Sequence, residues 1–224
     1  ILKYHSFLIK FKPFQTTTMT KNIYSLLVGI NNYAPESRPL VSPLKGCVND
    51  INAMEAYLQE RIAKDKNSDF QLVQPLKLAN EKATRRAIID GFQNYLSQAD
   101  SEDVVLFYYS GHGGQEAAAK EFWHLEPDHL NETLVCYDSR TPNSRDLTDK
   151  ELRYLISKVA KNNPHIVVIL DCCHSGTGTR DIPQSSRRAP EEIRDRPWES
   201  FVFAEELLGS RGGSQQVSIP EGKH

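Results

Sequence analysis

Three apolar runs punctuate the chain. Residues 23–30 (IYSLLVGI) are nearly unbroken and close on Asn31-Asn32, and residues 104–109 (VVLFYY) behave in the same way. Residues 166–170 (IVVIL), introduced by Pro164, form the third. Short, continuous apolar runs predict strands buried on both faces, as a parallel sheet requires. The intervals between them switch to helical periodicity. Ile51, Met54, Leu58 and Ile62 mark one face of a helix over 49–63. Thr84 is a candidate N-cap for a second helix, with Ile88, Phe92, Tyr95 and Leu96 on its apolar side. Thr148-Asp149-Lys150-Glu151 forms a capping box ahead of Leu152, Leu155, Ile156 and Val159. Weaker strands are expected at 72–78 and 133–137. Strands alternating with helices predict an α/β fold with a mainly parallel sheet and helices on both faces.

The ends break the pattern. The start of the chain, ILKYHSFLIKFKPFQTTT, carries Lys3, Lys10 and Lys12, which interrupt every apolar run, so it lacks the continuous core of a signal peptide. Residues 1–20 are therefore expected to be a leader, disordered or lying upstream of a start at Met19. Residues 21–181 are expected to form the folded domain. Residues 182–224 mix arginines with Pro, Ser and Gly and predict a linker.

Composition narrows the function classes. The 224 residues are 39% hydrophobic and 25% charged, with a net charge of −2. A near-neutral chain lacks the basic face of a non-specific nucleic-acid binder. No apolar run approaches the ~18 residues of a membrane span. Four cysteines are too few for a disulfide scaffold, so a reducing, cytoplasmic setting is expected.

The chemistry gathers at strand ends, where parallel α/β sheets carry reacting groups. The second strong strand runs into Ser110-Gly111-His112-Gly113-Gly114, and the third into Asp171-Cys172-Cys173-His174-Ser175-Gly176. On neighbouring parallel strands, His112 and a cysteine would face each other, which is the minimum for thiol nucleophilic catalysis. Two bland alternatives exist, a hydrogen-bonded structural histidine and inert buried sulfur. A zinc site is disfavoured because no Cys-x2–4-Cys pair occurs. A serine hydrolase elbow would need glycine where Tyr108 and Cys173 stand.

The pair YSGHGG (109–114) and DCCHSG (171–176), in this order and with His112 and Cys173 61 residues apart, resembles the caspase-like cysteine peptidases. The likeness is specifically to the metacaspases and their bacterial relatives. VGINNY (28–33) and LKGCVND (44–50) are similar to the same family. The resemblance implies a caspase-like three-layer sandwich, here reaching only the large-subunit region and lacking the small-subunit strands. It implies Cys173 as nucleophile, His112 as catalytic histidine, and the N–H groups of Gly113 and Cys173 as oxyanion donors. It also implies an acidic primary pocket of Cys47, Asp50, Ser110 and Asp171. Two carboxylates in one pocket call for a cation between them, so protein or peptide substrates with Arg or Lys before the cut are expected. The missing small-subunit region is an expected partner; nucleic acid and membrane are not.

Calcium-activated metacaspases carry an Asp/Gly-rich stretch after the histidine. Here residues 114–132 hold only scattered acids, whereas Ca²⁺ needs 6–8 oxygen ligands. No metal or cofactor is therefore expected, with Glu126, Asp128, Glu132, Asp138 and Asp181 as the available oxygens should calcium act. The arginine-rich segment has two readings: a solvated linker, or a self-processing segment cut at Arg180, Arg187, Arg188, Arg194 or Arg196. The alternative from another class is a catalytically silent caspase-like scaffold, whose marker would be loss of the histidine, the cysteine or the pocket acids.

Overall fold

A computed structural model describes residues 20–65, 69–173 and 187–208. The leader up to residue 19, Arg180 and Asp181 lie outside the described residues.

The three apolar runs become successive strands of a parallel sheet, but the third, expected to be buried on both faces, lies at the sheet edge with Val168, Ile169 and Leu170 exposed. Strand β1 (Lys21–Gly29) pairs in parallel with β4 (Val104–Ser110), and β4 with β8 (His165–Asp171). The register aligns Gly29 with Ser110, and Ser110 with Asp171. Three strands thus end level, and everything that follows each of them starts from the same edge of the sheet.

The single strand expected at 72–78 is two short ones, β2 (Phe70–Leu72) and β3 (Leu76–Ala79). Pro75 lies between them and has no N–H for the ladder, so each piece pairs with a different half of β1. The strand expected at 133–137 shifts to β6 (Leu130–Leu134), which belongs to a second, antiparallel sheet. Its neighbours are β5 (Gly113–Ala117) and β7 (Leu147–Thr148).

Alternation along the buried strands sorts their side chains into two layers. Leu26, Val28, Val105, Phe107 and Tyr109 point into the main core, under α2 (Arg85–Asp90) and α3 (Asp149–Val159). Leu27, Leu106 and Tyr108 point the other way, against Ile51 of α1 (Cys47–Lys64). The result is a three-layer sandwich with helices on both faces. Both capping predictions hold: the Thr84 hydroxyl accepts from the Ala87 N–H, and Thr148 and Glu151 satisfy one another's backbone N–H groups. Such caps contribute about 1 kcal/mol each.

Residues 187–208 overturn the expectation of a solvated linker. Trp198, Phe201 and Phe203 are buried and pack with Phe122 in a second aromatic core, followed by α4 (Ala204–Leu208). Ala189 is part of the main core. The Arg, Pro, Ser and Gly composition predicts a solvated chain, but each of the four arginines in 187–208 has found a partner. Arg196 lies between Glu116 and Glu151 with all three side chains buried. Among the described residues, no helix is long and apolar enough to cross a membrane.

Candidate active site

The site is built on the level strand ends. After β1 the chain bends away through Asn31 and Asn32, whose N–H groups both donate to the Asn80 Oδ1 (2.9 and 3.1 Å). It returns through Gly46, at φ 100°, into α1. That left-handed conformation suits glycine and aims the first turn of α1 at the sheet edge. Cys47 and Asp50 are in this turn. Gly29 permits the close approach, because a Cβ there would stand 2.6 Å from the Cys47 carbonyl oxygen.

The four residues expected to form the pocket are brought together. Ser110 Oγ donates to Asp50 Oδ2 at 2.8 Å. Asp171 stands beside Ser110 through the strand register. Cys47 is fully buried, and its thiol pKa is raised by that burial, with Ser110, Arg187, Asp50 and Asp171 all acting on it. The pocket is occupied by a side chain of the same molecule. Arg187 donates from Nη2 to Asp50 Oδ2 (2.8 Å), and from Nη1 to Ser110 Oγ (2.8 Å) and the Asp171 carbonyl (3.2 Å). Its Nη1 is also paired with the Asp171 carboxylate. Burial works against the guanidinium charge, but the hydrogen bond to Asp50 and the nearby acids outweigh it and hold Arg187 above its ordinary range.

The backbone of Arg187 is held as firmly as its side chain. Its carbonyl oxygen accepts from the N–H of Gly113 (2.9 Å) and the N–H of Cys173 (3.2 Å). These are the two donors expected for an oxyanion site, converging on one carbonyl.

His112 follows β4 in a loop braced from several sides. Its N–H donates to the Tyr33 hydroxyl (2.9 Å), and its carbonyl accepts from the Tyr109 hydroxyl (2.7 Å). Nε2 is 2.9 Å from the Ser42 carbonyl, so it carries the proton. Nδ1 is buried and has no hydrogen-bond partner among the described residues. Burial lowers the imidazole pKa below 6.5, partly opposed by the backbone groups of Ser42 and Arg187. The ring is thus a neutral base at neutral pH, with one nitrogen free to take a proton.

The two adjacent cysteines differ. Cys173 is exposed. Cys172 is half-buried, and burial, reinforced by Cys173 and Asp171, pushes its thiol up to about 12. A thiol at that value is almost never a thiolate at neutral pH, so Cys172 is a poor nucleophile.

The other candidate residues are dispersed. Arg188 reaches Gln115, Arg194 is paired with Glu192, and Arg196 is buried with Glu116 and Glu151. Of the possible calcium oxygens, Glu126 pairs with Lys150, Asp128 accepts from the Leu130 N–H, Glu132 from Gln115, and Asp138 from the Arg85 N–H. Among the described residues, no group of three or more His, Cys, Asp or Glu side chains is placed to hold a metal ion. Sequence reasoning gave no role to Tyr33, Ser42 or β5: VGINNY marks Tyr33 without saying what its hydroxyl holds, and a backbone carbonyl leaves no motif.

A family model described as metacaspase, peptidase C14 domain, matches residues 24–183. Metacaspase-1 of Botryotinia fuckeliana is 28% identical over 170 residues, covering 76% of this chain and 38% of that protein. Metacaspase-1 of Schizosaccharomyces pombe is 29% identical over 172 residues, covering 76% of this chain and 37% of that protein. The chain thus spans under two fifths of the length of these relatives. Among solved structures, protein GSU0716 of Geobacter sulfurreducens superposes with a TM-score of 0.55 at 25% identity, over 85% of this chain and 63% of that one. With its strand-end histidine and cysteine and its level parallel sheet, the chain belongs to the metacaspase family of C14 peptidases.

Proposed function

We propose that this chain is a cysteine endopeptidase domain that cuts peptide bonds after Arg or Lys, and that its first substrate is its own Arg187–Arg188 bond. One arrangement carries this reading. Arg187 fills an acidic pocket with its side chain while its carbonyl oxygen accepts two convergent N–H groups, as the residue before a scissile bond would.

In the proposed reaction, the Cys173 thiol loses its proton to His112, and Sγ attacks the Arg187 carbonyl carbon. The Gly113 and Cys173 N–H groups stabilise the oxygen as it gains charge, and loss of such a donor elsewhere costs roughly 3–4 kcal/mol in the barrier. The C–N bond breaks, His112 protonates the departing Arg188 amine, and a thioester remains. A water molecule then gives a proton to His112 and attacks the thioester, releasing the Arg187 carboxylate and restoring the thiol. Of the five arginines considered for self-processing, Arg194 and Arg196 are committed to other carboxylates, and Arg188 lies one residue beyond the pocket.

No metal enters this chemistry, so a calcium chelator should leave the rate unchanged. Cys47, Cys136, Cys172 and Cys173 form no disulfide, which suits a reducing compartment such as the cytoplasm. The region following the large subunit in longer relatives is the proposed partner for the outer edge of β8.

The decisive measurement is mass spectrometry of the purified chain after incubation. A new N-terminus at Arg188, absent in Cys173→Ala and retained in Cys172→Ala, is the expected result. Peptides with Arg, Lys or Asp before the cut then test the pocket, and cleavage after Asp alone would contradict it. An intact chain that cleaves none of these peptides favours the silent-scaffold alternative.

A further inference from the structure

Residues that follow a cut also need a place to lie, and this chain provides one. Beyond Arg187 the backbone runs parallel to β5. The Ala189 N–H donates to the Gly113 carbonyl and the Glu192 N–H to the Gln115 carbonyl, both at 2.8 Å. The pairing is parallel at Gly113 with Arg188 and at Glu116 with Glu192. Between these points the Pro190 carbonyl accepts from Arg140 Nη1 at 2.5 Å. Arg140 is itself buried against Asp146, with Nη2 to Oδ2 at 3.0 Å, so it is a fixed donor.

These anchors read backbone. Two features read side chains. Ala189 is buried within the main core, whereas the Arg188 side chain reaches out to Gln115 Oε1 at 3.3 Å. Proline at 190 restricts Ala189 to extended backbone and lacks the N–H that this position does not use.

We propose that the edge of β5 covered here by residues 188–192, with Arg140, is the binding site for the leaving side of substrates, which it takes by parallel strand addition. Its closed seat, filled here by Ala189, selects a small side chain two residues after the cut. The substrate class becomes an extended peptide of the form basic–any–small, with the position after the cut open to long polar side chains. This deepens the peptidase reading and rests on it for the word substrate. The docking itself stands on geometry alone.

The test varies residue 189 as Gly, Ser, Leu and Trp in the full chain. Each variant is measured twice: for the rate of appearance of the Arg188 N-terminus, and, in the Cys173→Ala background, for hydrogen exchange of the amides of residues 189 and 192. Gly and Ser should keep both readouts within about threefold of the parent, since neither overfills the seat. Leu should slow the cut by about tenfold or more, and Trp should abolish both the cut and the protection. Thermal melts identify any variant that has lost its fold; the Ser and Leu variants then decide. Equal cutting and equal protection across Ala, Ser and Leu would overturn the proposal. If no variant is cut but protection still falls with size, the docking site stands and the peptidase reading fails.

Discussion

Among the described residues, two arginines lie between paired carboxylates, and they are held in different settings. Arg187 meets Asp50 and Asp171 at the sheet edge, with side-chain exposures of 22%, 32% and 47%. Arg196 meets Glu116 and Glu151 in the interior, at 2%, 1% and 0%. The partners are chemically alike, so exposure sets the difference. A charge that water can reach is exchangeable: it leaves at little cost, and another cation can replace it. A charge sealed from water cannot leave without stranding its partners. In the proposed reading the first arrangement is a binding pocket; the second is a rivet, fastening the chain beyond Arg187 to β5 and α3.

The largest expected effect breaks the rivet. Arg196→Ala leaves the buried Glu116 without its cation, whereas Glu151 keeps Arg85, and should cost about 3–5 kcal/mol, read as a lower urea midpoint. The next lies in pH. Burial raises Glu116 to about 7 despite the pull of Arg196. Between pH 4.5 and 7 the native chain therefore holds a proton that the unfolded chain has shed. This contribution is complete below pH 4.5 and is lost as pH rises through about 7. Its size is on the order of 3 kcal/mol, and Glu116→Gln should remove that part of the pH dependence in urea titrations at pH 5 and 7.5.

Asp50→Asn should act the other way round. Its effect on stability should stay within about 1 kcal/mol, as for ion pairs that water can reach, while cutting after Arg187 slows by at least tenfold. Equal damage to fold and cutting would erase the contrast between the two sites. The smallest effect calibrates the scale: Arg86→Ala removes an exposed i,i+4 pair with Asp90 and should shift stability by only about 0.3–0.5 kcal/mol.

The two arginines also mark where sequence reading succeeds. Ser110, His112, Asp171 and Cys173 were legible because uninterrupted apolar runs locate the strand ends, and polar residues just past them have few structural reasons to be there. Asp50 and Cys47 were legible only through resemblance, since nothing in a helical periodicity says that its first turn faces a strand end. Which arginine would occupy the pocket was not legible at all. Composition treats Arg187 and Arg196 alike, and their roles depend on partners 137 and 45 residues away in sequence. Strand β5 escaped for a related reason: Gly113 and Gly114 carry no side-chain pattern, and Gly114 is small because a Cβ would stand 2.6 Å from Arg140 Nη2.

The span from Asp50 to Arg187 has a consequence for timing. A ribosome adding about 5–20 residues per second needs on the order of ten seconds to make the stretch between them. Until then the acidic turn, later joined by the histidine loop and last by the thiol, exists without the residue that bridges them. Any self-directed chemistry at this site is therefore ordered by synthesis itself, starting only after the chain has grown past the proposed Arg187–Arg188 target.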